Sequence, residues 1–135
     1  MGTDYRVSCC PDGLVTDRRR RIKVLDCTIR DGGICNNWDF EHNRVKQVFQ
    51  ALSKAAVEYM EVGYLTTPGF FDPDAVGPWR FCATDDLKQV IEPSDLKVST
   101  MVDVGRIKPA DIPNRSDSGI DMIRIATYAH QMDDA

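Results

Sequence analysis

The sequence lacks any long apolar run. None reaches the roughly 18 residues that a membrane-spanning helix needs, and no apolar segment opens the chain in the manner of a secretory leader. Basic residues are not in excess: 17 Lys and Arg face 21 Asp and Glu, a net charge of −4. That balance is a poor match for nucleic acid or an anionic membrane, so neither is expected as a partner. Histidine is scarce, with only His42 and His130. Cys-x-x-Cys is absent, and the five cysteines (Cys9, Cys10, Cys27, Cys35 and Cys82) are odd in number. This excludes a disulfide framework and favours a reducing, cytoplasmic setting. A zinc site from Cys27, Cys35 and His42 would match no familiar ligand spacing.

What is present is an ordinary globular composition, 42% hydrophobic and 28% charged, over 135 residues. One domain with a real core is expected. Charge is uneven: residues 1–23 carry six bases against three acids. Residues 1–21 read as an irregular basic arm, with Pro11-Asp12-Gly13 as a turn. The run Arg18, Arg19, Arg20 and Arg21 reads as a solvated lead-in, with a small anion patch as the other reading. The domain proper is expected over 22–135.

A short apolar run at 22–28 predicts a buried strand. Residues 29–38 read as a loop in which Gly32-Gly33 and Asn36-Asn37 permit tight turns. Asp39 is placed to cap a helix over about 40–57. Its apolar positions Val45, Val48, Phe49, Leu52, Ala55 and Ala56 form one stripe. Further strands are expected at 59–65, 96–104 and 122–128. Thr84 is placed to cap a short helix over 84–91, and 108–112 is a helical turn at most. Alternation of this kind predicts an α/β fold with a parallel sheet, whose functional groups gather beyond the carboxyl ends of the strands.

At the first such end stand Arg30 and Asp31. A carboxylate is a hard-oxygen ligand for Mg²⁺ or Mn²⁺. A neighbouring guanidinium can stabilise an oxyanion. The other reading is a structural ion pair. Glu61 is an acid within an apolar strand, costly unless paired. Either it holds Arg30 or a metal-bound water, or it points to a polar edge. Tyr128 and His130 stand at the end of the fourth strand and are candidate site-lining residues, a surface or otherwise satisfied histidine being the other reading of His130. His42 is expected on the exposed side of its helix, without a functional role.

The stretch Leu25-Asp26-Cys27-Thr28-Ile29-Arg30-Asp31-Gly32-Gly33 resembles the first-strand signature of the metal-dependent aldolase and carboxyltransferase superfamily. Met60-Glu61-Val62-Gly63-Tyr64, Ser99-Thr100-Met101-Val102-Asp103 and Ile123-Arg124-Ile125-Ala126-Thr127 continue the agreement in order, and fit its 4-hydroxy-2-oxovalerate aldolase branch. The resemblance implies the first half, about four strands, of a TIM barrel. It also implies a carbon–carbon lyase acting on a pyruvate-like 2-keto acid through an enolate stabilised by a divalent metal, Mn²⁺ or Mg²⁺. By the same resemblance Asp31 is the metal ligand, Arg30 stabilises the enolate, and Glu61 is an acid near the site. Thr127, with Tyr128 beside it, lines the substrate position.

Two departures accompany the likeness. The histidine base that follows Arg-Asp-Gly in the hydroxyoxovalerate aldolases has no counterpart in Gly33-Ile34-Cys35-Asn36. The family's His-x-His metal pair is also missing. A complete barrel takes about 250 residues, so the chain is expected to be an amino-terminal half with an incomplete metal site. Such a half leaves sheet edges open, so self-association or a carboxyl-terminal half is the expected partner. The competing readings are a non-catalytic remnant that binds a partner, and a doubly wound receiver-type domain with Asp103 as phosphoryl acceptor.

Overall fold

The computed structural model describes residues 22–134. The arm expected over 1–21, its arginine run, Cys9 and Cys10 lie outside the described residues. Four strands form one parallel sheet: β1 (Leu25–Asp26), β2 (Tyr59–Tyr64), β3 (Lys97–Asp103) and β4 (Met122–Ala126). Their order in the sheet is β1-β2-β3-β4, the same as in the chain. A receiver domain would place its first strand between two others. Among the described residues β1 is an outer strand and β2 lies between β1 and β3, which overturns the receiver reading.

Strand β1 is shorter than the apolar run at 22–28 predicted. Val24 gives its N–H to the Glu58 side chain (3.0 Å), and after Asp26 the chain turns into helix α1 (Thr28–Asn36). The expected loop at 29–38 is therefore mostly helix. Asp26 is the reason: its carboxylate accepts from the Thr28 backbone N–H (3.0 Å) and hydroxyl (2.8 Å), satisfying a donor that a helix start leaves open. Gly33 is not at a turn either. It lies buried inside α1, where a Cβ would overlap the Trp38 ring. The turn comes later, at Asn37, whose left-handed backbone (φ 55°) ends the helix.

Helix α2 (His42–Lys54) starts after Glu41, not at the expected Asp39 cap, and neither residue's side chain caps it. Val45 and Phe49 are buried and Val48 and Leu52 half-buried, while Ala55 and Ala56 are exposed because the helix ends before them. Helix α3 (Thr84–Val90) follows a 3₁₀ turn at Pro78–Arg80; a one-turn α4 (Arg115–Ser118) precedes β4. The expected Thr84 cap is one residue late, Ala83 holding that position. A 3₁₀ turn at Pro109–Asp111 matches the turn read at 108–112, and another covers Ala129–Asp134.

One face of the sheet carries Met60, Val62, Val98 and Val102 into a core with Ile29, Val45, Phe49, Trp79, Leu87 and Val90. Alternation puts Glu61, Ser99, Asp103 and Arg124 on the opposite face. The register supports this, with Glu61 opposite Ser99 and Met101 opposite Arg124. Between Glu61 and Tyr64 three steps of β2 match two of β3, a bulge. Without that extra residue Tyr64 would share the helix side with Met60 and Val62. With it, Tyr64 turns towards the polar face.

Candidate functional site

Glu61 is the centre of the polar face and is fully buried. An ionised carboxylate there needs charged partners, and it has two. Arg30 Nε donates to Glu61 Oε2 at 2.8 Å, and Arg124 Nη1 donates to Oε2 at 3.1 Å and Oε1 at 3.3 Å. The Cys27 thiol lies 3.5 Å from Oε2 and the Ser99 hydroxyl 3.5 Å from Oε1. Arg30 also pairs with Asp31, whose carboxylate faces solvent. Burial alone would lower the Arg30 pKa. Hydrogen bonds to Glu61 and Cys27, and the charges of Glu61 and Asp31, outweigh it and hold the guanidinium above its ordinary value. Burial and the Glu61 charge push the Cys27 thiol up, against the opposing pull of Arg30.

The three residues read from the sequence, Arg30, Asp31 and Glu61, are thus brought together beyond the end of β1. Of the two readings for Glu61, the structure has it hold Arg30. Asp31 suits one position on a hard cation. Among the described residues no group of three His, Cys, Asp or Glu side chains converges to complete such a site. The zinc idea also fails there: Cys27 turns to Glu61, and His42 pairs with Asp86 (2.7 Å). His42 is therefore not a free surface side chain. It ties α2 to α3 and packs against Trp79.

Thr127 and Tyr128 lie elsewhere. They line a cavity of about 270 Å³ at the carboxyl ends of β2, β3 and β4, together with Tyr64, Asp103, Arg106 and Gln131. Asp103 is four residues beyond Ser99 on β3, hence about 13 Å further along the sheet than the Glu61 level. His130 stacks on the exposed Tyr128 with ring centroids 5.7 Å apart. Behind this cavity is buried Arg80, packed on the rings of Trp38, Tyr64 and Phe71 at 4.7, 4.0 and 4.2 Å and bonded to Asp103 (3.1 Å).

Arg124, Arg80 and Arg106 are the residues that sequence reasoning passed over. A signal existed for Arg124: like Glu61, it is one charge in an apolar strand, of opposite sign and on the same face of the sheet. Arg80 carries no such mark, since Trp79-Arg80-Phe81 has no period to assign it a face.

The comparisons with known proteins agree with this architecture. The chain is 27% identical over 119 residues to 4-hydroxy-2-oxovalerate aldolase 6 of Rhodococcus jostii (strain RHA1), covering 85% of this chain and 32% of that protein. It is 24% identical over 123 residues to a 4-hydroxy-2-oxovalerate aldolase of Geobacillus genomosp. 3, covering 85% and 34%. Its relatives are aldolases. The chain spans about a third of the length of the curated relatives it matches. A crystal structure of the N-terminal domain of a protein assigned as an aldolase, from Bacteroides vulgatus, superposes with a TM-score of 0.67 at 31% identity, over 83% of this chain and 38% of that one. No family model matches the chain. The aldolase likeness and the sequential parallel α/β architecture read from the strand motifs both stand. Among the described residues no helix is long and apolar enough to cross a membrane.

Proposed function

We propose that this chain carries the enolate-stabilising part of an aldolase-type carbon–carbon lyase acting on a pyruvate-like 2-keto acid. The observation that supports it is the buried Glu61 carboxylate clamped by Arg30, with Asp31 at the solvent side of the same guanidinium. Glu61 fixes Nε and Asp31 engages Nη1, so Arg30 is oriented before any ligand arrives. The same guanidinium would offer its remaining N–H groups to a substrate oxygen. A guanidinium already ordered in this way stabilises an oxyanion without reorganising as charge develops. Arg124 helps by sharing Glu61, which holds the carboxylate, and with it Arg30, in place.

A divalent metal of the Mg²⁺ or Mn²⁺ kind would polarise the ketone, with Asp31 as its one ligand from the described residues. The other protein ligands would come from a second half of barrel or a second copy of the chain. The two outer edges, of β1 and β4, have no partner strand among the described residues and are where such a complement would join.

Deuterium exchange into the pyruvate methyl group with added Mn²⁺ tests the reading. Exchange by the chain joined to its complement, lost in Arg30→Ala and Asp31→Ala, is expected. Exchange that survives both substitutions would remove the assignment of these residues. A second reading, a non-catalytic half barrel that binds a partner, is favoured by the 61% exposure of Ile125 on β4. It predicts association without exchange.

A further inference from the structure

We propose that the cavity at the carboxyl ends of β2, β3 and β4 is a carboxylate-binding subsite in which Arg106 is the recognising group. The site has one carboxylate and two guanidinium groups. Asp103 Oδ2 accepts from Arg80 Nη2 at 3.1 Å and from Arg106 Nη1 at 3.3 Å. One positive charge is therefore left over beside the cavity.

The two arginines are not equivalent. Arg80 is 3% exposed and held among three aromatic rings, so it cannot leave Asp103. Arg106 has a side chain 47% exposed, a longer bond to Asp103, and only the edge of the Phe71 packing, at 5.3 Å. If Arg106 turns to a ligand, Asp103 keeps its buried partner and no carboxylate is stranded. The Arg106 backbone meanwhile stays fixed. Its N–H donates to Asp103 O at 3.0 Å, and its carbonyl accepts from Thr67 N–H at 3.1 Å. Gly105 between them has φ +80°, which this turn requires and other residues resist. An anchored backbone with a half-exposed, fork-shaped head suits recognition of a planar carboxylate.

The Asp103 charge on the same wall would repel a phosphate dianion more than a carboxylate monoanion. A cavity of about 270 Å³ suits a short chain, being below the roughly 300–1,000 Å³ of sites for drug-sized ligands. Tyr64, Thr127 and Tyr128 line the rest of the cavity. Assigning this anion to the aldehyde side of the substrate rests on the aldolase reading above. The carboxylate preference itself does not.

The test compares 4-hydroxybutyrate with 1,4-butanediol, which differ in the carboxylate, by amide shifts of the 135-residue chain in NMR titration. We expect 4-hydroxybutyrate to bind about tenfold more tightly or better, as befits a hydrogen bond to a charged group. The shifts should centre on Arg106 and Thr127, and inorganic phosphate should bind more weakly. Arg106→Gln should abolish the preference and Arg106→Lys keep part of it, each with an unchanged circular dichroism spectrum. Arg115→Gln, at an exposed arginine elsewhere, should leave it intact. Equal affinity for the two probes, a preference surviving Arg106→Gln, or tighter binding of phosphate would each overturn the proposal. Methyl exchange is a separate readout. A chain that prefers carboxylate yet exchanges nothing when complemented keeps the subsite and loses the aldolase reading.

Discussion

Arg124 Nη1 lies 3.1 Å from Oε2 of Glu61, the same oxygen that accepts from Arg30 Nε at 2.8 Å. The two arginines come from opposite edges of the sheet, one after β1 and one on β4. A single buried carboxylate thereby ties both edges of the polar face to its centre.

Glu61→Gln should be costly for this reason. It leaves two guanidinium groups facing a neutral amide at a fully buried position. Breaking a buried pair on one side costs about 3 kcal/mol or more. Arg124→Met should cost only about 1 kcal/mol, since that side chain is 40% exposed and its pairing is partly screened. Urea unfolding of the two variants measures the difference. Equal losses would show that the Arg124 pairing alone accounts for the cost of losing the Glu61 charge, against this expectation.

Alkaline pH should weaken the fold through Cys82. Burial, followed by the charges of Asp86 and Glu61, pushes its thiol well above the ordinary value of about 9. The unfolded chain releases that proton first, so the thiol's contribution is complete below about pH 9 and declines as pH rises towards the folded-state value. Between pH 9 and 10 the chain should lose about 1 kcal/mol more than Cys82→Ala. Parallel pH profiles for the two proteins would contradict this.

Gly33→Ala should disturb the first helix more than a surface change would. The added methyl meets the Trp38 ring, which also donates Nε1–H to the Arg30 carbonyl at 2.9 Å. Overpacking of this kind costs about 2 kcal/mol. A lowered thermal midpoint, with altered tryptophan fluorescence, is the expected result, and an unchanged midpoint would show that Trp38 moves freely.

Ile125→Lys should reduce self-association. Ile125 is 61% exposed on β4, an outer strand among the described residues, and Tyr128 and Met132 after it are exposed too. Lysine on an edge strand discourages pairing. Light scattering at micromolar concentration should show larger species for the unaltered chain than for the variant. A monodisperse monomer in both cases would argue against association through this edge.

Strand identity was legible in the sequence because apolar runs of five to seven residues between polar segments have few alternatives. The four strands and their parallel pairing followed from that pattern and the strand motifs, whereas the contact of Glu61 with Arg30 was one of several readings the sequence left open. Helix α1 was not legible. Its two glycines argue for a loop, and only the packing of Trp38 against Gly33 and the hydrogen bonds from Thr28 to Asp26 favour a helix. The same holds for Arg80. A buried guanidinium depends on three rings and a carboxylate that are distant in the chain and meet only when the sheet forms. Local periodicity assigns a residue to a strand and to a face. Which charges meet across that face depends on register and on a one-residue bulge, and those are set by long-range packing.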